Sequence, residues 1–213
     1  MTRAQAPRTA AGLLVVLSGP SGVGKGTVVA TAMSLPHPGA GRLRRSTSVT
    51  TRPRRTEERD GLDYFFVAPE EFERRVRAGE LLEWATYLDN RYGTPAGWVD
   101  HQLAAGLDVV LEIEVQGAVQ VKERRSEAVL VYMLPPTWEE LARRLRDRRS
   151  ESEEVQRRRI DVAREEIRSL PQYDYAITNG KVEQAADDFL AILTAERARV
   201  RRVDVSHLLD GEP

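Results

Sequence analysis

The chain has 213 residues, a formal net charge of −1, 41% hydrophobic and 31% charged residues, and no cysteine. That length supports one substantial α/β core with an inserted subdomain rather than two domains of typical size. The charge balance speaks against the long-range basic field of a nucleic-acid binder, and without cysteine there are no disulfides, thiolate metal sites or thiol nucleophiles.

Residues 1–11 carry Arg3 and Arg8 but no apolar signal-peptide core, so they read as a loose leader of a cytoplasmic protein. Leu13 to Leu17 is an unbroken apolar run, expected to be a strand buried on both faces. A glycine-rich turn follows, Gly19-Pro20-Ser21-Gly22-Val23-Gly24, then Lys25-Gly26-Thr27 and a stretch to Met33 suited to a helix. The spacing of Gly19, Gly24 and Lys25 is that of a P-loop up to its last position, where Gly26 replaces the Ser or Thr whose hydroxyl normally touches magnesium. Such a turn aims backbone N–H groups inward, the helix N-terminus adds partial positive charge, and Lys25 supplies a full charge for terminal phosphates. Read alone, the segment is also an ordinary glycine turn. The strand and helix around it, and the scarcity of lysine (Lys25, Lys122 and Lys181), favour a nucleotide phosphate site.

Pro36 to Gly41 is a break, Ser46 to Thr51 a short β-prone run, and Arg52 to Gly61 a charged, turn-rich stretch. Tyr64–Val67 reads as a strand, Pro69–Val76 as a short helix stopped at Gly79, and Leu81–Tyr87 as a strand ended by Asp89-Asn90. Residues from about 45 to 95 therefore form an inserted lobe unlike the parallel pattern around them. Leu107 to Val115 begins as a buried strand and finishes in alternation, which places Glu112 and Glu114 on one face near its carboxyl end, where open α/β sheets bind ligands. Ala128–Leu134 is a further buried strand. Thr137 to Glu140 is a capping box opening an Arg-rich helix, which Arg148 to Glu154 interrupts before a second helix runs to about Leu170. Tyr175–Thr178 is a last strand, Asn179-Gly180 a turn, and Phe189, Leu190 and Leu193 form one apolar face of a final helix. His37, His101 and His207 lack metal-ligand spacing, and no stretch approaches the roughly 20 apolar residues that span a bilayer.

Several runs in this order resemble the guanylate kinase family of nucleoside monophosphate kinases: GPSGVGKGT (19–27), TTRPRR (50–55), DYFFV (63–67), LLEWA (81–85), RYGTP (91–95), LEIEVQGA (111–118) and SEEVQRRR (152–159). The resemblance covers about Leu13 to Arg199. It implies a P-loop NTPase core (12–44, 96–136 and 171–201) with a parallel sheet flanked by helices, a small α+β GMP-binding lobe (about 45–95), a helical lid (about 137–170) and a tail (202–213).

It further implies transfer of the γ-phosphoryl group of ATP to GMP, and to dGMP, in purine nucleotide metabolism, with magnesium on the donor phosphates. ATP would lie on Gly19 to Thr27, with Asn179 near the adenine. Ser48, Arg52, Arg55, Tyr64 and Tyr92 would take the GMP phosphate, and Glu83, Ser48 and Thr94 would select the base. Glu83 would accept from guanine N1–H and the 2-amino group, donors that adenine lacks there. Arg144, Arg148 and Arg159 would close over the transferring group. Glu112 and Glu114, where the family commonly has Asp, would hold magnesium waters with Thr27, and Glu114 would also contact GMP.

Without the resemblance, RPRR is a solvated basic loop, Glu83 an outward-facing strand residue, the two acids a solvent-facing pair, and Asn179 part of an Asn-Gly turn. Three alternatives stand beside the kinase: an inactive guanylate-kinase-like interaction module, a kinase for AMP or dTMP, and, weakest, a nucleic-acid binder. The implied partners are ATP and GMP, without membrane or nucleic acid.

Overall fold

The computed structural model describes residues 11–87, 89–146 and 153–203. In chain order the regular elements are β1 (Leu14–Ser18), α1 (Lys25–Ser34), β2 (Leu43–Arg45), β3 (Val49–Thr50), β4 (Phe65–Phe66), α2 (Pro69–Arg77), β5 (Leu81–Tyr87), β6 (Asn90–Pro95) and α3 (Ala96–Ala104). They continue with β7 (Asp108–Glu112), α4 (Val115–Arg124), β8 (Val129–Leu134), α5 (Trp138–Arg146), α6 (Glu153–Ile167), β9 (Tyr175–Thr178) and α7 (Val182–Arg197).

The core is a five-stranded sheet in the order β2-β7-β1-β8-β9, with every neighbouring pair parallel. Strand β1 lies at its centre, which is why its sequence is apolar without interruption. Leu13, Val15 and Leu17 pack on one side with Phe189, Leu190 and Leu193 of α7, while Leu14 and Val16 pack on the other with Val99 of α3 and Val121 of α4. Each fully buried aliphatic side chain of this kind contributes about 1.5–3 kcal/mol. The order also brings the carboxyl ends of β1, β7 and β8 to one edge, the usual ligand edge of an open parallel sheet.

A second, four-stranded sheet runs β4-β3-β6-β5, with β3 against β6 and β6 against β5 antiparallel. The hairpin from β5 to β6 turns at Asp89, whose φ is 66°, a left-handed conformation that Asp tolerates better than most residues. The sheet's small core is Val49, Phe72 and Leu81, with Val67 and Val76 against it. Helices α5 and α6 share another small cluster, Leu141, Leu145 and Ala163 with Trp138 and Ile160 against it. Leu145 reaches back to the glycine loop, its Cδ2 lying 3.2 Å from where a Cβ on Gly22 would stand.

Two local expectations are corrected. The run from Leu107 is not one strand to Val115: β7 stops at Glu112, and Glu114 is the extended N-cap residue of α4 (φ −78°, ψ 165°). The apolar positions Ala118 and Val121 pack as a helix face on the sheet, and this overrides the local alternation. The capping box at Thr137 is half made. The Glu140 N–H donates to Thr137 Oγ1 at 3.2 Å, but the Glu140 carboxylate turns away to Arg143 and Arg144. Those two guanidiniums hold it down at about 2.

Candidate active site

The glycine loop leaves β1 and enters α1 directly, so Lys25 is the first helical residue and Gly24 its N-cap. Gly24 has φ 97°, and a Cβ there would lie 2.6 Å from Asn179 Nδ2; only glycine suits both the backbone and the space. The loop is held from two sides through one carbonyl. Asn179 Nδ2 donates to the Val23 oxygen at 2.8 Å, and Arg144 Nη1 donates to it at 3.3 Å while its Nε bonds Glu140 at 2.8 Å. Lys25 Nζ donates to the Gly19 carbonyl and lies 3.9 Å from Glu114 Oε1. Pro20 to Thr27 line a cavity of about 480 Å³ whose far wall carries Arg45, Ser46, Ser48, Asp63, Tyr64, Glu112 and Glu114.

A second cavity, about 190 Å³, lies between this wall and the four-stranded sheet. It is lined by Ser48, Arg52, Arg55, Glu58, Tyr64, Glu83, Tyr92 and Arg159, among others. Arg52 is held by Glu58 and by the Tyr64 ring. Its Nη2 bonds Glu58 at 2.6 Å, its guanidinium lies 5.4 Å from the Tyr64 ring centre, and Tyr64 meets Tyr92 edge-on at 6.0 Å. Glu58 also accepts from the Arg55 N–H at 2.9 Å, which folds the RPRR loop around the cavity.

Glu83 is 3% exposed and Thr94 fully buried. The hydroxyl of Thr94 donates to Glu83 Oε1 at 2.6 Å; it serves the carboxylate instead of lining the cavity. Burial pushes the Glu83 carboxyl up to about 7, with the Thr94 bonds opposing. Beneath Glu83, a Cβ on Gly117 would come within 2.5 Å of Oε2, so glycine at 117 is what allows the carboxylate this position.

The two cavities share Ser21, Ser48, Tyr64, Glu112 and Glu114 as a common wall. The sequence-derived acids thus do converge, one from a strand end and one from a helix cap. Their surroundings differ. Glu112 is paired with Arg45 Nε at 2.6 Å, and burial still raises its carboxyl above the usual range. Glu114 faces Lys25 and Glu166 of α6. Burial and the neighbouring Glu114 charge raise the Glu166 carboxyl well above ordinary carboxyl values.

Of the other residues singled out in the sequence, Arg159 is nearly buried in the second cavity wall, and Thr27 is exposed at the mouth of the first. Asn179 is 3% exposed and engaged with Val23, so it braces the loop rather than lining either cavity. Arg148 lies outside the described residues. Sequence reasoning missed Arg45, Glu58, Gly117 and Glu166. Arg45 closes a three-residue strand too short to show a period, and the other three matter only through partners distant in sequence. The Gly-Ala pair inside a helical stretch was the one available signal for Gly117.

A central parallel sheet whose first strand runs into a phosphate cradle, with a polar second cavity across a shared wall, defines a P-loop nucleotide-binding fold with two adjoining sites. Comparison with known proteins identifies the branch: the guanylate kinase family model matches residues 12–196. Guanylate kinase of Streptococcus agalactiae serotype III (strain NEM316) is 48% identical over 192 residues, 90% of each chain. That of Streptococcus pyogenes serotype M3 (strain ATCC BAA-595 / MGAS315) is 48% identical over the same span and shares. The crystal structure of guanylate kinase from Anaplasma phagocytophilum superimposes with a TM-score of 0.78 at 32% identity, covering 97% of both chains. The chain belongs to the guanylate kinase family.

Proposed function

We propose that this protein transfers the γ-phosphoryl group of ATP to GMP, and to dGMP, giving ADP and GDP, as a cytoplasmic enzyme of purine nucleotide metabolism. The observation that carries the reading is the common wall of the two cavities, with the Lys25 cradle on one side and a buried guanine-suited carboxylate, Glu83, on the other. ATP phosphates would lie on the N–H groups of Gly19 to Thr27, with Lys25 leaving the Gly19 carbonyl to reach the terminal phosphates. The GMP phosphate would meet Arg52, Arg55, Tyr64 and Tyr92, a planar fork and two phenols suited to a dianion. Glu83, oriented by Thr94, would accept from guanine N1–H and the 2-amino group, while Ser48 reaches the base or the phosphate. The inactive-module reading is not favoured, because Lys25, Arg52 and Arg159 are all present at the cavity walls.

Phosphoryl transfer asks little covalent chemistry of the protein; in-line placement and charge neutralisation supply most of the acceleration. Lys25, Arg52, Arg159 and Arg45, at the cavity walls, would supply the neutralisation, and Arg144 would join them on leaving the Val23 carbonyl; Arg148 is assigned the same role from the sequence. Among the described residues no group of three His, Cys, Asp or Glu side chains forms a metal cluster. The available ligands, Glu112, Glu114 and the Thr27 hydroxyl, are hard oxygens, and both acids already have protein partners. That set suits magnesium held mainly by phosphates and waters, with one or two carboxylates behind the waters. When bound, magnesium would neutralise charge on the donor phosphates.

The test is a coupled assay of ADP formation from ATP against GMP, dGMP, AMP, dTMP and CMP. GMP and dGMP should be used at least about 10²-fold better than the rest, since mismatched donors leave buried polar groups unpaired. Equal use of AMP would refute the reading.

A further inference from the structure

The four-stranded sheet ends at β5, whose outer edge has no strand partner among the described residues. In an antiparallel pair, alternate residues turn both N–H and C=O outward, and such an edge must be covered or left to water. Here α4 covers it with side chains. Gln120 accepts from the Trp84 N–H at 3.2 Å and donates to the Trp84 carbonyl at 2.6 Å, the two bonds a neighbouring strand residue would make. One helical turn later, Arg124 Nη1 donates to the Leu82 carbonyl at 2.6 Å and to that of Leu81 at 3.0 Å. These bonds fall on both sides of Glu83, and the same helix supplies Gly117 beneath it. Helix α4 starts from Glu114 in the wall between the cavities and packs on the parallel sheet, whereas Glu83 belongs to the other sheet.

We propose that Gln120 and Arg124 are positioning residues for guanine selection: by pairing the free edge of β5 on both sides of Glu83, they hold its carboxylate where it reads the base. The proposal rests on the GMP reading above. The Arg124 charge also favours the ionised, accepting form of Glu83. Neither residue touches substrate; both act through the strand.

The experiment compares wild type with Gln120→Leu, Arg124→Met and the double variant, using GMP and IMP as acceptors at saturating ATP. IMP lacks the 2-amino group, so the ratio of kcat/KM for GMP to that for IMP reports how well Glu83 is placed. The double variant should lose about tenfold in kcat/KM for GMP, equivalent to about 1.4 kcal/mol, chiefly through KM. It should lose less than about threefold for IMP, which offers Glu83 one donor fewer, and keep its KM for ATP. Arg124→Lys, which restores a donor, should recover most of the ratio. A merely structural role would lower both acceptors together and in step with Tm. If the double variant does not fold, the GMP/IMP ratio of Gln120→Leu decides. Wild type that prefers GMP, with variants that keep the full preference, overturns this inference alone; wild type that ignores GMP overturns the functional reading and this inference with it.

Discussion

Replacing Glu83 by Gln changes one atom at a buried polar position held between Thr94 and Gly117. Thr94 can still donate to the remaining oxygen, so the side chain keeps its place over Gly117. Guanine offers two N–H donors; the variant would meet one with oxygen and the other with its own NH2 group. Losing a charge-assisted bond and opposing two donors costs about 3 kcal/mol, or roughly 10²-fold in kcat/KM for GMP. AMP, which has neither donor, should change by less than about threefold. Stability should move the other way. A carboxyl raised from 4.5 to about 7 by burial makes the ionised form cost the fold about 3 kcal/mol, at about 1.36 kcal/mol per pH unit. Because the folded value is the higher one, Glu83 supports the fold at low pH, and that support is lost between about pH 4.5 and 7. At pH 8 the neutral Gln avoids the cost, so Tm should equal or exceed that of wild type. Steady-state kinetics with both acceptors and a thermal melt at pH 8 check both arms. A GMP loss below twofold would refute the base readout, and a fall in Tm of several degrees would refute the claim that the buried acid is a burden.

The same acid sets a pH dependence. Ionised Glu83 would be the form that accepts from guanine, so wild-type kcat/KM for GMP should rise with pH through a midpoint near 7, and this limb should vanish in Glu83→Gln; a limb that persists belongs to another group. Gly26→Ser should leave a folded enzyme within about threefold of wild-type activity. Its new Cβ would stand 3.3 Å from Glu112 Oε2 and 3.6 Å from Arg45 Nη2, side-chain ends that can yield. Helix propensity favours Ser over Gly by about 0.5 kcal/mol, worth about 1–2 °C in Tm for a chain of this size. An activity loss above tenfold would place the side chain in the path of the phosphates.

Much of the fold was legible because β1, β8 and α7 announce themselves through burial. An apolar run needs a place inside a sheet, and Phe189, Leu190 and Leu193 need one helix face. The helices α3 and α4 were not, since their packing faces rest on small residues such as Ala118, and local alternation at Glu112 and Glu114 mimics a strand. The glycine loop could be read directly because its spacing is the chemistry. The hydrogen bonds of Thr94 and Asn179 could not, because each is made to one long-range partner, Glu83 in one case and the Val23 carbonyl in the other. Arg45 and Glu166 are likewise ordinary charged residues until the sheet order and α6 bring them to Glu112 and Glu114.

The central claim is that the Lys25 cradle delivers a phosphoryl group across the shared wall to GMP. Its most direct test follows label from γ-labelled ATP into GDP for wild type and Lys25→Ala at saturating magnesium. Wild type should label GDP only when GMP is present. The variant, keeping the loop glycines but lacking the charge, should be slower by about 10²-fold or more with its melting temperature little changed. Labelling of GDP by folded Lys25→Ala at near the wild-type rate would contradict the account.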